Sequence, residues 1–174
     1  MTGPASPERD GLLAALGAQR ASVLAIVSDL DEASWRSSVV PSGWTPLGLL
    51  EHLGGAERLW GQVVLGGRVP PRSRPHAAEA GEEETGEEPS GFVSDREVDD
   101  VLTFYRDQCA QTDLVLEGLA LDDRPPGMRR PDLPTPVTDV RDVVLHLVEE
   151  TARHAGHLDI ARELLDGRTG LGPR

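Results

Sequence analysis

The chain has 174 residues, long enough for one domain with a substantial core. Its permanent bases are all arginine, 17 of them against 30 carboxylates, and the formal net charge of -13 excludes the basic face that nucleic-acid phosphates or an anionic membrane surface require. No run approaches the roughly 18 apolar residues of a membrane span. The start, MTGPASPERDG, has no basic region leading into an apolar run, so a cytoplasmic protein is expected.

The first predicted helix spans 7 to 31. Ser6 is its N-cap, Pro7 its first helical residue, Glu8 and Asp10 lie in its first turn, and Leu12, Leu16, Val23, Ile26, Val27 and Leu30 form its apolar stripe. The second spans 45 to 66, with Thr45 as cap and Pro46 first. It buries Leu49, Leu50, Leu53, Trp60 and Val64 before Gly66 and Gly67 end it, and it carries His52 about two turns in.

Residues 68 to 93 are rich in Pro, Gly and Glu, which predicts a mobile acidic loop. The EEETGEE run and His76 within it read as solvated groups. The third helix, 94 to 119, places Val101, Leu102, Tyr105, Cys109, Thr112 and Leu116 at helical spacing. Cys109 has no second cysteine to pair with, which suits a reducing compartment, and core packing is its expected role. A second long connection, DDRPPGMRRPDLPTP, is stiffened by five prolines.

The fourth helix, 139 to 166, follows Thr138 as cap and stops at Gly167, leaving 167 to 174 as a tail. Val140, Leu147, Thr151, Leu158 and Leu165 project to one sector at about 100° per residue. Glu150 and His154 sit one turn apart at its edge. A carboxylate and an imidazole so placed are half of a metal site; with His52 from another helix the set is two His and one Glu, leaving a coordination position open. The same spacing also makes an ordinary surface pair.

His157 can be a ligand in place of Glu150, a supporting group or a pocket acid/base. His146, two turns before His154, reads as a rim residue. Glu57, five residues past His52, is rotated away from it and is a poor ligand partner. Trp44 and Trp60 either wall a pocket or pack in the core, and Arg153 is expected to pair with Glu149.

The segments GWTPLGLLEHLGGAERLWGQVVLGG (43 to 67) and HLVEETARHAGHLDIARELLDG (146 to 167) resemble the DinB/YfiT-like superfamily, in particular its actinobacterial mini-circle branch. The absence of Lys and Asn and the presence of only two Ile agree, as the codon signature of a GC-rich genome. The resemblance implies a single all-α domain over 1 to 174, a four-helix bundle with long crossover connections.

It further implies a divalent metal, Zn, Ni, Fe or Mn, held by His52, Glu150 and His154. Many superfamily members carry His at the position of Glu150, whereas the related mycothiol-dependent maleylpyruvate isomerases resemble this chain in using His, Glu, His. His157 stands where other members often carry Gln and is the candidate catalytic residue. The activity implied is that of a metal-dependent enzyme transferring a low-molecular-weight thiol such as mycothiol to a small electrophile. A metal-dependent hydrolase, or a non-catalytic metal- or ligand-binding bundle, would use the same residues. The expected partners are a small-molecule substrate and, with room for it, a second copy of the chain.

Overall fold

A computed structural model describes residues 6–68, 92–127 and 137–169. They form helices α1 (Pro7–Val27), α2 (Glu32–Trp35), α3 (Pro46–Glu57), α4 (Val98–Glu117) and α5 (Val140–Asp166), and α3 continues directly into a π-helical stretch, Arg58–Leu65. The fold is all-α, with no strand among the described residues. Most of the expected acidic loop (69 to 91), part of the proline-rich connection (128 to 136) and the end of the tail (170 to 174) lie outside the described residues.

Three helices begin as their capping residues dictate, because a side-chain oxygen can satisfy an amide that has no partner in the first turn. Ser6 accepts from the amide of Arg9, Thr45 from that of Gly48, and Asp139 from that of Asp142. Thr138, expected as the last of these caps, lies one residue outside and donates to the Asp142 carboxylate instead.

Two helix ends differ from expectation. α1 stops at Val27 rather than Asp31: Asp29 takes a left-handed φ of 58°, and Asp31 caps the separate short helix α2, which sinks Trp35 into the core at 4% exposure. Arg162 of α5 donates to the carbonyls of Ile26 and Ser28, satisfying acceptors that the helix end leaves open. α4 starts at Val98 rather than residue 94, because the Ser94 hydroxyl accepts from the Arg96 amide and Arg36 takes the carbonyls of Ser94 and Arg96. Those carbonyls are then committed to side chains instead of a helical ladder.

α1 pairs with α5, and α3 with its π-helical extension pairs with α4; the two pairs meet where α3 and the extension pack on α5. On the other side Arg9 of α1 donates to the Leu116 carbonyl of α4. The apolar interior falls into two clusters. One holds Val23, Leu47, Leu50, Leu53, Tyr105 and Leu158, the other Leu16, Trp60, Val64, Leu116, Val144 and Leu147. The stripes read from sequence supply most of both.

Between the clusters each long helix contributes a buried polar residue: Arg20, Glu57, Thr112 and Thr151. Glu57, at 1% exposure, binds Arg20 through two hydrogen bonds of 2.7 Å, and Arg20 reaches Asp113 at 2.7 Å with its remaining nitrogen. Burial disfavours the charged guanidinium, but the bonds and charge of Glu57 outweigh it and raise the Arg20 pKa. α1 is the one described helix whose length and composition would suffice for a membrane span. In the structure that helix lies along α5 and carries Arg20 into this polar layer.

Candidate metal centre and its cavity

His52 projects from the second turn of α3, and Glu150 and His154 from successive turns of α5, so the seam between the two helix pairs brings them together. Nε2 of His52 lies 3.0 Å and Nε2 of His154 3.2 Å from the same oxygen, Oε1 of Glu150. One donor atom from each residue lies within 4.8 Å of the others. Ligands bonded at about 2.1 Å to a tetrahedral ion stand roughly 3.4 Å apart, so this set could hold a divalent ion with little side-chain movement. Hydrogen bonds from His154 and then His52 hold the Glu150 carboxyl well below the usual carboxylate range, keeping it anionic.

The surroundings fix the histidines. The Phe92 ring stacks on His52 at 4.1 Å between centroids, tilted by 21°. Phe92 is itself tied down, its carbonyl accepting from the Thr45 amide at the start of α3. That approach needs Gly48, since a Cβ there would overlap the Phe92 carbonyl. On the far side of His154, Nδ1 of His157 lies 3.2 Å from Nδ1 of His154, and Trp44 stands 6.2 Å from the His157 ring. Burial, and next the charges of His154 and Arg153, push the His157 pKa down, which favours the neutral ring.

A cavity of about 670 Å³ adjoins the site, with His52, Glu150 and His146 in its wall. Trp60 belongs both to the core, at 4% exposure, and to this wall, where it lies 4.3 Å from His146. Of the other two histidines of α5, His146 faces the cavity, whereas His157 is not among its lining residues and meets the site through His154, in keeping with the supporting group among its expected roles. Trp44 packs against the core cluster, and Arg153 pairs with Glu149 at 2.6 Å.

The sequence reading passed over Glu51, Arg58, Phe92, Arg96 and Phe104, all in the cavity wall. A signal existed: the chain has only two Phe, and both line this cavity rather than the core. Cys109 is half-buried beside Tyr105, and burial pushes its thiol up to about 12, the opposite of what a nucleophile needs.

A family profile described as mycothiol S-transferase matches residues 11–167. The chain belongs to that family. The match covers α1 to α5 and so includes His52, Glu150, His154 and the cavity wall, and it agrees with the likeness to the DinB/YfiT-like superfamily. No curated protein and no solved structure matches the chain.

Proposed function

We propose that this mycothiol S-transferase family member uses a divalent metal held by His52, Glu150 and His154 to transfer mycothiol, or a similar low-molecular-weight thiol, to a small electrophile bound in the adjoining cavity. The observation that carries the reading is the convergence of two imidazoles and one anionic carboxylate beside a cavity of about 670 Å³, in a chain of this family. A bound divalent ion would supply Lewis acidity, lowering the pKa of a thiol so that it is ionised near neutral pH.

The chain's own groups divide the remaining work. Glu150 and the Nε2 atoms of His52 and His154 are the donors. With Nε2 given to an ion, His154 carries its proton on Nδ1 and donates it to Nδ1 of His157, whose neutral state makes it an acceptor. In this reading His157 is a positioning residue, the supporting group among its expected roles, and not the catalytic acid/base.

His146, one turn before Glu150 and in the cavity wall, is the imidazole to which this reading assigns the thiol proton. The sulfur then bonds to the electrophilic carbon, and the electron pair of the bond that breaks leaves with the displaced group or, in an unsaturated carbonyl compound, moves to the neighbouring carbon, which takes up the proton held by His146. Phe92 and Trp60 shield the reactants from water.

The test combines elemental analysis of untagged protein with an electrophile panel of an alkyl halide, an epoxide and an unsaturated carbonyl compound, each with and without mycothiol. Stoichiometric metal and thiol-dependent consumption, both lost in His52→Ala, are expected. Consumption without thiol would establish the hydrolase instead, and protein that never binds metal would refute the reading.

A further inference from the structure

We propose that the cavity wall built from Arg58, Arg96 and Phe104 is a carboxylate subsite, so that the preferred substrate is a planar, apolar molecule bearing an anionic carboxylate, with Arg58 as the group that receives it. This rests on the cavity being the substrate site. The guanidinium carbons of Arg58 and Arg96 lie 5.8 Å and 5.2 Å from the centroid of the Phe104 ring. A guanidinium near an aromatic ring offers a planar fork of donors whose geometry matches a carboxylate and which is less strongly hydrated than an ammonium group.

The two arginines are not equivalent. Arg96 already bonds Glu51 at 3.1 Å, and Glu51 belongs to the same wall. Among the described residues no carboxylate pairs with Arg58, although acidic groups outnumber arginines 30 to 17 and Arg20, Arg36, Arg141 and Arg153 each have an acidic partner. A cavity arginine that has no such partner among the described residues is a site for an incoming anion.

The rest of the wall sets the shape of that anion. Leu59, Trp60, Phe92 and Val93 are apolar, and Arg58 is the wall's arginine without a carboxylate partner among the described residues. Arg58 follows His52 by six residues, about 9 Å along a helix axis. A ring with a short unsaturated chain spans that distance, placing its carboxylate on Arg58 and its reactive carbon toward the histidines.

Binding is tested without the transfer reaction, by calorimetric titration of the full-length protein with trans-cinnamate and with its neutral counterpart cinnamamide. Both the protein as purified and chelator-treated protein are used. The acid should bind about tenfold more tightly than the amide in both preparations, as expected for one charge-assisted, two-point hydrogen bond. Arg58→Gln should remove the preference and leave amide affinity unchanged, whereas Arg106→Gln, on the exposed face of α4, should keep it.

Equal affinities in the unaltered protein, no binding of either compound at millimolar concentration, or a preference that survives Arg58→Gln would overturn the assignment. A preference lost on chelation alone would place the carboxylate on the metal and overturn it equally. Because no thiol is present, failure of thiol transfer and failure of this subsite are read separately.

Discussion

Replacing Glu57 by Gln tests the polar layer at mid-bundle. Glu57 is 1% and Arg20 8% exposed, so the guanidinium cannot turn to water when its partner changes. The amide keeps one acceptor, but its NH2 group faces a guanidinium donor, and the charge that offset burial of Arg20 is gone. Removing one partner of a buried pair costs about 3 to 5 kcal/mol. Asp113, still 2.7 Å from Arg20, places the cost near the lower end, about 3 kcal/mol. For a chain of this length that is roughly 6 to 12 °C in thermal midpoint.

Asp113→Asn should cost less than about 1 kcal/mol, because that side chain is 60% exposed and its pairing is screened. Arg20→Met combined with Glu57→Leu should recover to within about 1 kcal/mol of the unaltered protein, since no buried charge remains. Urea unfolding with a common m-value gives all three numbers. A loss below about 1 kcal/mol for Glu57→Gln would show that the pair is solvated and that the reasoning from burial is wrong.

The other predictions concern the site, the thiol and the packing of α4. His52→Ala and His154→Ala should abolish metal binding yet keep helical circular dichroism, while His146→Gln should retain metal; elemental analysis after dialysis separates these outcomes. The Cys109 thiol has an ordinary pKa of 9.0, pushed up to about 12 by burial, so the folded state holds the proton more tightly than the unfolded one. Its contribution to stability is present below about pH 9 and lost as the pH rises toward 12, by about 1 kcal/mol at pH 10, and urea midpoints of Cys109→Ala should fall less over that range. Gly61→Ala should lose about 1 to 3 kcal/mol, because a Cβ there would overlap the Thr112 hydroxyl; an unchanged midpoint would show that α4 can move away.

The long amphipathic helices and the ligand spacing were legible because both are properties of one helix read alone. Glu150 and His154 stand one turn apart whatever α5 packs against, and Leu49, Leu50 and Leu53 mark the buried face of α3. What the sequence concealed depends on neighbours. Glu57 was correctly read as rotated from His52, but a helical projection cannot show that Arg20 of α1 waits on the side it turns to. Which of His146 and His157 lines the cavity likewise depends on what packs against α5: His146 lies beside Trp60, and His157 beside His154. α2 has only four residues, too few for a period to be visible, and Trp35 is buried through contacts the local pattern does not contain.

The π-helical stretch after Glu57 changes how this segment should be compared with relatives. Eight consecutive residues with i→i+5 bonding form a wider turn, so side chains beyond Arg58 fall progressively behind the angles that α-helical spacing would assign them. A relative whose helix stays α-helical through this region would present its wall residues one position out of step and would align only with a single-residue gap. Equivalences drawn across Arg58–Leu65 by residue count alone would therefore pair a cavity residue in one protein with a core residue in the other. Deleting one residue directly after Arg58 offers the laboratory version of that step: it would let the helix tighten while turning Trp60 away from the place it holds now.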